Sequence, residues 1–438
     1  MMAKVTEARL NNPKEVRAWC MYDWANSVYS LVITSAIFPV YYKSTMRQNG
    51  GDLVRFLGYE LDSSVLYSYA LSGSFLIVAL LMPLLSGVAD YAGRKKWFMQ
   101  FFVALGSTSC MALFFFRGPE DLYWAIGCSM LASIGFSSSL VFYNAFLPEI
   151  ATPDQFDRVS ARGYSMGYYG SVLLMVVCLA MILNASTFGF SDAGAASRFS
   201  FLLTGIWWFG FALIPFSVLK ENAVHSFRKN LLLKGYRELA GVWVRIQQLS
   251  SLKRFLLAFF LFNMGVQTIM YLATLFGTDV LHLADDKLIG TILVIQLVGA
   301  LGAGLFARVS ARQGNKYALV IMICIWILVC LVAYALQTEW QFYALAFVVG
   351  MIMGGIQSLS RATYAKLIPA DTNDHASFFS FYDVTYNVSI VLGTFSFGLI
   401  NQITGNMRNS ALGLCIFFVL GLVALLSVED DRLAARRR

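Results

Sequence analysis

Apolar residues along this chain come in long blocks rather than in strict alternation. Twelve blocks can be marked, at 17–42, 64–88, 96–116, 121–147, 163–184, 199–219, 254–279, 288–310, 317–336, 340–365, 377–401 and 410–427. A helix rises about 1.5 Å per residue, so blocks near 20 residues match the roughly 30 Å apolar core of a bilayer. The short alternating segments of a membrane β-barrel are absent from the pattern. Inside lipid every backbone group must be satisfied internally, which leaves helices. The expectation is an all-α integral membrane protein with about twelve transmembrane helices.

Loop charge orients the bundle. With the N-terminus on one face, that face collects 24 Lys and Arg, from Lys4, Arg9 and Lys14 through Arg94–Lys96 to Arg432 and Arg436–Arg438. The opposite face holds seven: Lys43, Arg47, Arg55, Arg117, Arg198, Lys287 and Arg408. The positive-inside rule then predicts both termini in the cytoplasm. The longest connection, 220–253, falls midway and is basic. Leu231, Leu232, Tyr236, Leu239 and Trp243 in it can form one apolar helical face lying on a membrane. The expected organisation is a cytoplasmic segment 1–16, a six-helix half 17–219, a cytoplasmic linker 220–253, a second six-helix half 254–427 and a basic tail 428–438.

Composition narrows the class. Residues are 58% hydrophobic and 13% charged, against about 25% charged in soluble domains. Mean hydropathy is +0.64. A pI near 9.0 reflects basic loops, so no nucleic-acid partner is expected. The seven Cys lie mostly inside apolar blocks, among them Cys110, Cys128, Cys178, Cys324 and Cys330; they read as packing residues, not as disulfides or metal ligands. The polar stretch Lys4–Arg17 does not resemble a cleavable signal, so the first block is expected to serve as the insertion signal. The three His, His225, His282 and His375, fall in expected loops. With no H-E-x-x-H, no G-x-S-x-G and no Walker A string, neither an enzyme nor an ATP-driven pump is expected, and no cofactor or metal.

Between the second and third blocks stands Gly87-Val88-Ala89-Asp90-Tyr91-Ala92-Gly93-Arg94-Lys95-Lys96. Gly87 permits close helix approach, Asp90 can cap or pair across the middle of the bundle, and Gly93 can turn with positive φ. The string resembles the G-x-x-x-D-x-x-G-R-K/R loop of the major facilitator superfamily. The corresponding loop Ala307–Lys316 keeps Gly314 and basic residues but lacks the Asp. The resemblance implies the major facilitator fold, two pseudo-symmetric six-helix halves.

The first block opens Tyr22-Asp23-Trp24-Ala25-Asn26-Ser27-Val28-Tyr29. By spacing, Asp23, Asn26, Ser27 and Ser30 share a helical face, and an acid so deep must turn inward. This string resembles the start of the unknown major facilitators, the family that includes the autophagy-related vacuolar effluxers of yeast. Further matches are Tyr143-Asn144 to Pro148, Arg162-Gly163-Tyr164 with Gly167-Tyr168, and Gly354-Gly355-Ile356-Gln357 with Ser360-Arg361. In the eleventh block the family pattern leads to a Gly-Lys pair after Phe381-Tyr382-Asp383-Val384, where this chain has Thr385-Tyr386. A possible anion partner is thereby lost, which puts a substrate shared with other family members in doubt.

A faint internal repeat aligns Tyr143–Pro148 with Tyr364–Pro369 and places Arg162 opposite Asp383. Polar residues elsewhere in the blocks fall at helical steps: Asn263, Gln267 and Tyr271; Gln296; Gln357 and Arg361; Asp383 and Asn387. The resemblance implies that inward positions on blocks one, four, seven and ten line a central cavity. Substrate-binding candidates are Asn26, Tyr29, Tyr143, Asn263, Gln267, Tyr271, Gln357 and Asn387. For Asn263 and Gln267, binding and interhelical bonding stand equally open. Asp23, Arg162, Arg361 and Asp383 are candidates for gating or proton coupling, since opposite charges buried in lipid should pair. The expected function is secondary or facilitative transport of a small polar metabolite by alternating access, with amino-acid efflux implied by the resemblance. Expected partners are that solute and the bilayer, with protons as the candidate coupling ion, and the expected form is a monomer in the inner membrane of a prokaryote. A lipid or drug exporter, with a greasy laterally open cavity, is the rival within transport; a non-transporting sensor is the rival outside it.

Overall fold

The structure, a computed structural model, describes residues 10–47, 53–221, 231–281, 283 and 285–428. Most of the N-terminal segment, linker positions 222–230 and the basic tail from 429 onward lie outside the described residues. Eleven helices are long and apolar enough to cross a membrane among the described residues: Val65–Ala92, Lys95–Phe115, Pro119–Ile150, Phe156–Leu183, Ala193–Val218, Ser250–Met270, Lys287–Gln313, Asn315–Ala335, Glu339–Leu367, His375–Thr404 and Met407–Leu426. These are spans two to twelve. Span one is the unbroken helical rod from Pro13 to Arg47, about 50 Å long at 1.5 Å per residue. Its first turns carry Lys14, Glu15, Arg17 and Asp23, so charge hides the apolar signal there. Asn12 starts the rod by accepting from the Lys14 backbone N–H, with Pro13 at the first helical position.

Between Tyr29 and Ile37 span one widens into a π-helix. Ser35 Oγ donates back five residues to the Ser30 carbonyl at 2.9 Å. A short antiparallel hairpin, β1 (Leu53–Phe56) and β2 (Tyr59–Asp62), follows, and Phe56 stacks on Tyr123 at the outer start of span four. Because the number of spans is even, both ends of the bundle lie on one face, here called the terminus face.

The halves meet along span two against span eleven and span five against spans eight and ten. A single run of buried side chains joins both halves, with Trp19, Trp208 and Trp326 among its largest members. Leu80, Leu131, Leu301, Phe395 and Ile416 are exposed on the outside, as a lipid-facing surface requires. The linker helix Leu231–Gln248 does not lie free on the membrane. Gly235, Val242 and Ile246 pack inward, and a Cβ at Gly87 would run into the Gly235 carbonyl. Tyr236 and Trp243, expected on the apolar binding face, are exposed, with the Trp243 ring against Phe381. The side chains of Leu231 and Leu232 lie outside the described ones. His375, expected in a loop, is the buried first residue of span eleven.

Candidate functional site

A cavity of about 210 Å³ opens between the halves. Span one supplies much of its wall. Asp23, Asn26, Ser27 and Ser30 all line it, and the π-turn brings Leu31, Thr34 and Ser35 round to join them. Span four adds Ser133, Ser137 and Asn144; span five adds Tyr164 and Tyr168. From the second half come Gln267, Gln296, Gln357, Arg361, Asp383 and Asn387. Spans two, five, eight and eleven therefore contribute alongside one, four, seven and ten.

The floor toward the terminus face is built around Arg361, which is 2% exposed. Its Nη2 donates to Asp23 Oδ2 at 3.3 Å and to the Ser160 carbonyl at 3.0 Å. Nε donates to Ser160 Oγ at 2.9 Å, and Nη1 to Asn144 Oδ1 at 3.3 Å. The guanidinium also lies over Tyr164 at 4.3 Å and Trp19 at 4.7 Å from the ring centroids. Tyr143 Oη donates to Asp23 Oδ2 at 2.7 Å, and Trp19 Nε1 to the Tyr143 carbonyl at 2.9 Å. A buried ion pair survives only with further hydrogen bonds to its partners, and here Asp23 Oδ2 also accepts from Tyr143 while every guanidinium nitrogen makes a bond. Span five makes room for it: a Cβ at Gly163 would run into Asp23 Oδ2, and one at Gly167 into Ser27 Oγ. Gly354, in the other glycine motif, similarly lets span ten meet the Gly299 backbone of span eight.

Two further polar clusters close the terminus face below this floor. Asp90 accepts from the backbone N–H groups of Ser377 at 2.6 Å and Ala376 at 3.2 Å. It thus caps span eleven across the halves, where the helix dipole is positive. Gly93 turns the chain at φ +65° just after it, Lys95 bonds Glu149, and Arg94 is half-buried. In the second half the roles are reversed. Asp157 on span five is the acceptor, bonded by Asn315 Nδ2 at 2.7 Å, Ser310 Oγ at 2.8 Å and Lys366 Nζ at 2.8 Å. The loop that lacks an Asp supplies donors to an acid from the other half. Higher up, Tyr168 Oη donates to Gln357 Oε1 at 2.6 Å.

The other expected residues divide. Asn26, Tyr29, Gln267, Gln357 and Asn387 line the cavity; Tyr29 Oη shares a 2.8 Å bond with Ser133 Oγ. Tyr143 is buried beneath the floor as a support for Asp23. Asn263 turns away from the cavity, donating to Ser389 at 2.5 Å and accepting from Gln267 at 3.2 Å. Tyr271's side chain lies outside those described. Arg162 is not part of the network and is exposed. Span five turns Gly163, Gly167 and Gly170 toward span one, so Arg162 joins the outer stripe with Arg158, Tyr169 and Leu173. Asp383 does not pair with Arg361. It is 7% exposed, and its Oδ2 has no hydrogen-bond partner among the described residues.

Reading the sequence alone passes over Asp157, Asn315, Ser310 and Lys366. The available signal was an acid in the first turn of a helix otherwise entering lipid, Asp157. Trp19 and Ser160 had no comparable signal, because each matters only through Arg361.

A family described as vacuole effluxer Atg22 like matches residues 11–436. The MFS-type transporter YxiO of Bacillus subtilis is 34% identical over 421 residues, covering 95% of each chain. Autophagy-related protein 22 of Coccidioides immitis is 23% identical, over 97% of this chain and 88% of its own. Among solved structures, the human organic anion transporter MFSD10 superposes with a TM-score of 0.73 at 13% identity, covering 94% of this chain and 99% of that one. The fucose:proton symporter FucP of E. coli gives 0.70 at 12% identity, with 94% and 98% covered. These structural likenesses establish the major facilitator fold and nothing narrower.

Proposed function

The chain belongs to the vacuole effluxer Atg22-like family, and on that footing we propose that this multi-pass transporter exports a small polar metabolite, foremost an amino acid, by alternating access. The observation that carries the reading is the Arg361–Asp23 pair, which joins the two halves at the floor of a polar cavity. Such a pair is a gate: while it holds, the cavity is sealed from the terminus face, and rocking of the halves must break it. The many amide, hydroxyl and tyrosine groups in the wall favour a hydrophilic solute over a lipid.

The terminus face is cytoplasmic in this reading, on the weight of its basic residues, and the membrane is the inner membrane of a prokaryote. The working form is a monomer, since a single chain lines the polar cavity. A proton can drive the cycle through Asp23. Protonating that carboxylate removes the charge that holds Arg361, so the gate loosens when a proton arrives. The Asp90 and Asp157 clusters hold the same face shut from outside the cavity.

Reconstitution into liposomes and a screen of labelled amino acids, with and without a pH gradient, tests the proposal. Movement of at least one amino acid, accelerated by the gradient in the wild type but not in Asp23→Asn, is expected. Movement of a lipid with no amino acid transported would overturn it.

A further inference from the structure

Among the described residues, three atoms around the cavity are buried and lack hydrogen-bond partners: Asp383 Oδ2, Gln296 Oε1 and Asn26 Nδ2. Two are acceptors and one is a donor. A buried polar atom without a partner is costly, more so when charged, so a protein keeps one where something else will satisfy it. Both acceptors belong to second-half helices, the donor to span one.

Charge sharpens the point. Of the carboxylate and guanidinium groups lining the cavity, Asp23 and Arg361 neutralise each other at 3.3 Å. Each guanidinium nitrogen of Arg361 is moreover bonded already, to Asp23, Ser160 or Asn144. Asp383 is left as a carboxyl group with no cationic partner among the described residues. Its neighbour one turn on, Asn387, donates to the Asp383 backbone carbonyl at 2.9 Å rather than to the carboxylate. The wall therefore carries a carboxyl group with an unused oxygen, which an entering cation can pair with.

We infer that Asp383 is the recognition point for a protonated amine on the transported solute, with Gln296 Oε1 as a second acceptor and Asn26 Nδ2 as the donor for the solute's oxygen. The chemical class is a primary ammonium compound, zwitterionic or singly cationic; a simple carboxylate or a neutral sugar leaves Asp383 unmatched. This deepens the proposed function and rests on it for the claim of transport, but the binding it describes can be measured separately.

The test uses full-length protein in liposomes, with the natural cysteines replaced by alanine and one cysteine placed at Ser30 in the cavity wall. Propylammonium should slow maleimide labelling of that cysteine. Propionate should not, and tetramethylammonium, which has no N–H, should protect at least tenfold more weakly. In Asp383→Asn, protection by propylammonium should be lost. Asp383→Glu, which keeps the charge one methylene away, should retain it with reduced affinity and serves if the Asn variant does not fold.

Equal protection in Asp383→Asn, or equal protection by tetramethylammonium, overturns the inference. Counterflow of the twenty labelled amino acids separates the two ideas. If amino acids move but amine protection ignores Asp383, the inference falls and the transport reading stands. If none moves but the amine protects through Asp383, the transport reading falls and the inference stands.

Discussion

Arg361 Nη2 of the second half lies 3.3 Å from Asp23 Oδ2 of the first, and these residues stand 338 positions apart in the chain. No local segment can make this contact, so the pair reports directly on how the halves are placed. One turn closer to the terminus face, Cys20 is 1% exposed, its thiol directed at the Val159 carbonyl at 3.8 Å. It is a natural reporter of the gate.

Removing one partner of a buried pair generally costs about 3–5 kcal/mol. If about 1.4 kcal/mol of this favours the state open to the terminus face, Cys20 labelling rises about tenfold in Arg361→Ala. The measurement is a labelling rate in a variant whose sole cysteine is Cys20. An unchanged rate would mean the pair does not hold the gate.

Gly163→Ala should lower the melting temperature and speed Cys20 labelling, because its Cβ would strike Asp23 Oδ2. Overpacking of this kind costs about 1–3 kcal/mol. Gly210 on span six has open space around it, so Gly210→Ala should leave melting unchanged or raise it, by up to about 1 kcal/mol. Equal effects from the two substitutions would remove the steric argument.

The two clusters at the terminus face share none of the hydrogen-bond partners described. Asp90→Ala removes the cap on span eleven, worth about 1 kcal/mol. Asp157→Ala leaves Lys366 and Asn315 without their carboxylate, worth about 1–3 kcal/mol. Each should speed Cys20 labelling, and the double variant should add to within about 0.5 kcal/mol. A strong departure from additivity would show that the clusters act as one lock.

On the opposite face Asp192 caps span six, accepting from the Ala195 backbone N–H at 2.8 Å. That bond, and one from Ser191, hold its carboxyl below the ordinary carboxylate range. The folded pKa is lowered, so the stabilisation is present above the unfolded value near 3.9 and fades as pH falls through the folded value. Asp192→Ala should therefore cost about 1 kcal/mol at pH 7, measured by thermal melting, and the difference should shrink toward pH 3. A deficit that stays constant with pH would rule out the charged cap.

The sequence by itself determined the solvent of this protein and hence its elements. So few charges over so many long apolar blocks require lipid, lipid requires helices, and the acid Asp23 and the amide Asn26 of span one had to turn inward. The loop at Gly87–Lys96 pointed to the fold for a similar reason, since Asp90 and the glycines have no use in a generic basic loop. Tertiary structure decided the partners. Asp23 and Asp383 both read as acids seeking Arg361, yet only Asp23 reaches it, because Gly163 lets span one approach span ten's arginine while Asp383 faces the cavity. Arg162 read as equivalent to Asp383 and lies exposed, because which side of span five faces inward is set by where its glycines pack. Hydropathy and helical spacing state how far a residue lies across the membrane and which neighbours share its helix face; they do not state the rotation of one helix against another, and buried charge is paired or left open by that rotation alone.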